Sequence, residues 1–217
     1  MIVEDLHPEA QVAVGYALPG HRDAFAALLA FDRNLARSVA GASEAIVGQL
    51  RLAWWRDALA ASSDTLPRGN PLLDEVAKGF GEQRRQLGAL VDGWEAVLLA
   101  EPIDGTATQS LKAGRQAAWL ALATALETGA NDAAVRLAAG RWAVADLISG
   151  LPEEDRSREI IADVQPSLGQ SASLPRALRP LAVLDALARR SLAAGGAPLL
   201  AGRGSAMVAL RAGVFGR

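Results

Sequence analysis

The stretch ASEAIVGQLRLAWWRDALA, residues 42–60, decides how this chain folds, taken together with DAFAALLAFDRNLARSVA, residues 23–40, just before it. In the first, Ile46, Leu50, Trp54 and Ala58 form one i+4 row, and Val47, Arg51, Trp55 and Leu59 form the row beside it. Both rows are mostly apolar, so the spacing predicts a helix buried on more than one side, in the middle of a bundle rather than on its rim. Arg51 is the exception. A guanidinium in an apolar row needs a carboxylate, a bound anion or a route to water, because burying it unpaired costs several kcal/mol. Asp32, inside the stripe Phe25, Leu28, Leu29, Leu35, Ala36 and Val39 of the preceding helix, is the partner the spacing offers.

Working outward, a short apolar piece at residues 12–18 is closed by Pro19-Gly20, and the first clear helix covers residues 21–40, stopped by Gly41. Ser43 reads as the N-cap of the next helix, which continues to about residue 61. After a loop at 62–71, helical periodicity resumes through 72–100 with a kink near Gly88. It continues through 106–127, with Leu111, Ala118, Trp119 and Leu122 inward, and through 132–149, capped by Asn131. Residues 153–173 are polar and poorly periodic, a surface excursion. Two last helices are drawn at 176–194 and 199–214, the latter weakened by Gly202 and Gly204. No strand-like alternation is present. The expectation is an all-α bundle of roughly seven to nine helices, one domain over residues 1–217.

Composition narrows the function. The chain has 217 residues, is 51% hydrophobic and contains no cysteine, which excludes disulfides, thiolate metal sites and a cysteine nucleophile. Its 20 arginines and 2 lysines are scattered under a net charge of −2, so nucleic acid is not the expected partner. His7 and His21 lack the spacing of a zinc site. The acidic start MIVEDLHPEA does not read as a secretory signal, and no run is long enough to span a bilayer. The expected placement is cytoplasmic, or peripheral at an inner membrane.

The sequence resembles the squalene and phytoene synthase family, the head-to-head branch of the isoprenyl diphosphate synthases. The resemblance rests on LLAFDRNLARSVAGASEAIVGQLRLAWWRDAL at 28–59 and PLLDEVAKGFGEQRRQLGALVDGWEAVLL at 71–99. It extends through GRWAVADLISGLP at 140–152 and LPRALRPLAVLDALARR at 174–190. It implies an all-α bundle of the isoprenoid synthase type and a magnesium-dependent reaction on isoprenoid diphosphates. Family members carry acids one helical turn apart, in a motif of the type FCRxxDDxxDE, which hold the metal that binds the departing diphosphate. Aligned through Phe31 and Arg33, those acidic positions fall on Ala36, Arg37, Ala40 and Gly41, and the second motif falls on Gly150, Leu151, Pro152, Glu153 and Glu154. The resemblance therefore implies a lost magnesium site, at Ala36, Ala40 and Gly150 above all, and no cofactor. A scaffold kept while its acids are lost is similar to a branch typified by a mitochondrial assembly factor for respiratory complex I.

Two main functional readings follow, beside a third, a structural interaction module attached to the respiratory chain or the inner face of a membrane, on which residues 191–216 could at most lie. The first is a non-catalytic family member that takes an isoprenoid-like or lipid ligand in the old cavity, or a respiratory-chain protein as partner. The second is an active prenyl transferase in which Arg33, Arg37 and Arg51 converge on a diphosphate in place of metal. The candidate ligand-binding residues are Asp32, Arg33, Arg37, Arg51 and Trp55, with no catalytic residue assigned. All but Arg37 have a structural alternative: Arg51 and Asp32 as a buried ion pair, Trp54 and Trp55 as core filling, Arg33 as a solvated helix flank. Glu153, Glu154 and Asp155, with Arg141, Arg156 and Arg158 nearby, read as a solvated charge run.

Overall fold

A computed structural model describes residues 2–42, 44–151 and 158–216, and among these every regular element is helical. The Ser43 cap and the run Pro152, Glu153, Glu154, Asp155 and Arg156 lie outside the described residues, as does the Arg158 side chain. The helices are α1 (Pro8–Gly15), α2 (Arg22–Ala40), α3 (Ala45–Ala60), α4 (Pro71–Phe80), α5 (Gly88–Leu99), α6 (Gly105–Ala125), α7 (Asp132–Ser149), α8 (Arg158–Val164), α9 (Arg179–Ala193) and α10 (Gly204–Phe215). None is long and apolar enough to cross a membrane.

The core is built by α2, α5, α6, α7 and α9. Phe25, Leu28, Phe31 and Leu35 of α2 are buried, as their i, i+3, i+4 spacing requires, and they meet Trp94, Trp119 and Trp142. Phe25, Trp119 and Trp142 stack in a tilted and edge-to-face series with ring centroids 5.9 and 6.0 Å apart. Helices α5 and α6 cross closely because Gly93 and Gly114 sit at the contact. A Cβ on Gly114 would run into the Ala89 carbonyl oxygen and the Leu90 Cα. The caps are local and explicit: Asn70 accepts from the amides of Leu72 and Leu73, Asp104 from Ala107 and Asn131 from Ala134.

Three expectations are corrected. Helix α3 is on the rim: Leu52, Trp55 and Leu59 are buried, whereas Ile46, Leu50 and Trp54 are 56%, 65% and 42% exposed, and Arg51 is exposed beside them. One face of α3 packs on α5, held by Arg56, which donates to Asp92 and Glu95 at 2.7 Å. The continuous helix over 72–100 is broken at Gly81, whose φ of 53° ends α4 and starts a 3-10 stretch, Gly81–Leu87. Arg141 belongs to no solvated run. It is buried, makes a two-pronged pair with Asp185 of α9 (2.6 and 2.8 Å), and donates to the carbonyls of Ser167 and Gln170. A further helix, α1, fills the start of the chain, and α8 inserts Ile160 and Val164 into the core.

Candidate functional site

A cavity of about 810 Å3 opens between α2, α5, α7, the start of α1 and the segment joining α9 to α10. Ala36 and Ala40 stand one turn apart on α2, and Gly150 caps α7. All three line this cavity. Three of the positions at which the resemblance would place metal-binding acids therefore share one wall, and they present methyl groups and a bare backbone. Val39, Val97, Leu98, Leu147 and Leu199 make most of the remainder apolar, and the Trp94 ring forms part of the lining.

Among the described residues, the acids at the cavity are Glu9, Glu101 and Asp146. A magnesium ion demands several oxygens converging in near-octahedral geometry. Asp146 is instead engaged by Arg115 at 2.6 Å, and burial pushes the Glu9 carboxyl above its ordinary value, with a smaller push from Asp146. Among the described residues no three His, Cys, Asp or Glu side chains are grouped to hold a metal. The donors among the described residues do not by themselves fit the magnesium cluster that the resemblance implies.

Behind the cavity wall lies an ionic centre. Arg115 of α6, 2% exposed, reaches Asp32 Oδ2 at 2.8 Å and Asp146 Oδ2 at 2.6 Å, and donates to the Ala143 carbonyl at 3.2 Å. Its guanidinium lies 4.4 Å from the Trp142 ring centre and 5.4 Å from that of Trp94, whose indole N–H donates to Asp32 at 2.7 Å. Burial pushes the Asp32 carboxyl up against the pull of Arg115. Asp32 is thus one half of a structural pair, as its solitary position in an apolar stripe suggests, but its partner is Arg115 and not Arg51. Sequence spacing carried the missing signal: Arg115 stands at i+4 from Leu111 and i−4 from Trp119, inside the buried stripe of α6.

Residues 9–126 match the family model of squalene/phytoene synthase. The chain belongs to the squalene/phytoene synthase family. No curated protein and no solved structure resembles it closely enough to count as a match. The matched span runs from α1 through α6, so it includes Ala36, Ala40, Asp32 and Arg115; the match is to the family and singles out no branch of it.

Within this member of the squalene/phytoene synthase family, the three arginines expected to converge are not brought together. Arg33 lines a small pocket of about 40 Å3 that shares His7, Glu9, Ala36 and Asp146 with the large cavity, and its Nε and Nη1 are buried with no hydrogen-bond partner. Arg37 is exposed. Arg51 lines a separate outer groove of about 570 Å3 with Leu50, Trp54 and Trp55. Trp55 is otherwise a core residue, edge-on to Phe31 at 5.0 Å and donating to Asn34 at 3.1 Å. The aromatic residue that does face the large cavity is Trp94, which periodicity placed only as one more stripe residue.

Proposed function

We propose that this protein is a non-catalytic member of its family which binds an isoprenoid-like or other lipid-like molecule in the α2–α5–α7 cavity without magnesium. The observation that carries this reading is the shared wall of Ala36, Ala40 and Gly150, together with the commitment of Asp146 to Arg115. A diphosphate leaving group needs concentrated positive charge on its oxygens. The wall offers apolar contact instead, in a volume of the size that takes small ligands. Trp94 makes occupancy readable by fluorescence. Titration with farnesol and with farnesyl diphosphate, each with and without magnesium, tests it. We expect saturable farnesol binding indifferent to the metal and no release of pyrophosphate. Magnesium-dependent micromolar binding of the diphosphate, or turnover, overturns the reading.

One observation favours the second reading, a prenyl transferase that grips a diphosphate with arginine: the unpartnered nitrogens of Arg33 beside the cavity. The separate positions of Arg37 and Arg51 leave that guanidinium without company. Metal-independent binding of the diphosphate that far exceeds farnesol binding and disappears in Arg33→Met is its expected signature. A role in assembling respiratory complex I is supported by the missing acids alone, and complex I activity after deletion of the gene tests it.

A further inference from the structure

Helix α10 has an outward face of unusual composition. Its inner side is Ser205, Ala209, Ala212 and Gly213, small residues that let it lie close on the bundle, with Gly213 against the Tyr16 ring. Its outer side carries Met207, Leu210, Val214 and Phe215, which are 62%, 48%, 51% and 66% exposed. The charged residues turned outward with them are Arg203 and Arg211, and no acid is among them. The segment as a whole is sorted in the same sense. Residues 174–217 hold seven arginines and one aspartate, and that aspartate, Asp185, is buried against Arg141; the acids of this slightly acidic chain are concentrated before residue 174.

We propose that α10 docks the protein on an anionic lipid bilayer, lying flat with its four apolar side chains at the headgroup–acyl boundary and Arg203 and Arg211 on the lipid phosphates. A helix of 12 residues is about 18 Å long, too short to span the bilayer but suited to lie in its interface. The charge pattern selects the occupant. A second copy using the same face in a two-fold contact brings arginine against arginine with no acid to pair them, whereas an anionic surface satisfies both guanidinium groups while the apolar stripe leaves water. The segment that leads into α10 contributes Pro198, Leu199 and Leu200 to the cavity wall, so docking sets that wall close to the lipid. The proposal stands apart from the cavity's own ligand, which the titrations above address.

Co-sedimentation of the full chain with vesicles of phosphatidylcholine, with and without phosphatidylglycerol, tests the proposal. Binding is expected only to the anionic vesicles, and it should fall as salt is raised. Two variants, L210S/F215S and R203E/R211E, should each weaken binding by at least about tenfold, while their melting temperatures stay at the wild-type value because all four side chains are exposed. The proposal is overturned if neither vesicle binds the wild type or if both variants bind as well as it does. It is overturned equally by a wild type that leaves vesicles unbound and forms dimers which L210S/F215S dissolves in light scattering.

Discussion

The guanidinium of Arg115 ties α6 to both α2 and α7. It compensates two carboxylates on two helices, and one of them, Asp32, is buried like the arginine itself, at 5% exposure against 2%. Arg115→Met should cost about 3–5 kcal/mol in chemical denaturation, because it strands Asp32 away from water, and adding Asp32→Asn should recover a large part of that loss. The pH dependence has a definite sign. Burial already raises Asp32, and without its cation the folded state favours the protonated acid further, so stability is retained in acid and lost as pH climbs through the folded value. The gap between Arg115→Met and wild type should therefore widen as pH rises above the wild type's own raised Asp32 value, when melting is followed across pH. Glu9 tests the same logic at the cavity mouth. Its carboxyl is raised mainly by burial, then by Asp146, with a backbone hydrogen bond and, more weakly, His7 and Arg33 opposing. Glu9→Gln should flatten the decline of stability as pH rises from about 4.3, and an unchanged slope would refute the assignment.

Two glycines show how the helices are kept in register, and for different reasons. Gly81 ends α4 at φ 53°, ψ −130°, a conformation that L side chains avoid, yet a Cβ there would touch nothing. Gly114 is helical, and a Cβ on it would strike the backbone of α5. Gly81→Ala should cost about 1–3 kcal/mol through backbone strain alone, and Gly114→Ala a comparable amount through overpacking. Only the second should disturb the environment of Trp94, read by its near-ultraviolet signal. The same contrast explains how much of the fold was legible. The bounds of α2 and α7 follow from periodicity, Gly41 and the Asn131 cap. The break at Gly81 does not, since a positive φ leaves no mark in an apolar period and Gly88 looks equally apt. Helix α3 is apolar on two faces, and spacing cannot say which of them meets α5, so Leu50 and Trp54 read as core although they face water. Buried arginines were the harder loss: Arg84 donates to the Ala61 and Gly81 carbonyls from a site 2% exposed, and nothing in GEQRRQL separates it from Arg85.

At the scale of the molecule, the cavity belongs to two parts of the chain that sequence comparison separates. Helices α2 and α5 fall inside the matched span of residues 9–126, whereas α7 and the segment before α10 fall outside it, yet they close a single wall. Arg115 ties these parts by pairing with Asp32 on one side and Asp146 on the other, so a cation belonging to the chain itself bridges α2 and α7. The alignment through Phe31 and Arg33 singled out Ala36, Ala40 and Gly150; that all three line one cavity was not legible, because nothing local in Gly150 says what lies near it. This arrangement makes the last prediction a matter of volume. Ala40 lines the cavity and is exposed, so Ala40→Phe should place a ring in the cavity without displacing packed core. Farnesol affinity should fall by about tenfold or more, since apolar contact area is what the wall supplies, while the melting temperature holds. Trp54→Ala, which empties part of the outer groove beside Arg51, should leave farnesol binding unchanged. If the Trp54 variant loses the ligand and the Ala40 variant keeps it, the ligand lies against α3 and the cavity is bare scaffold.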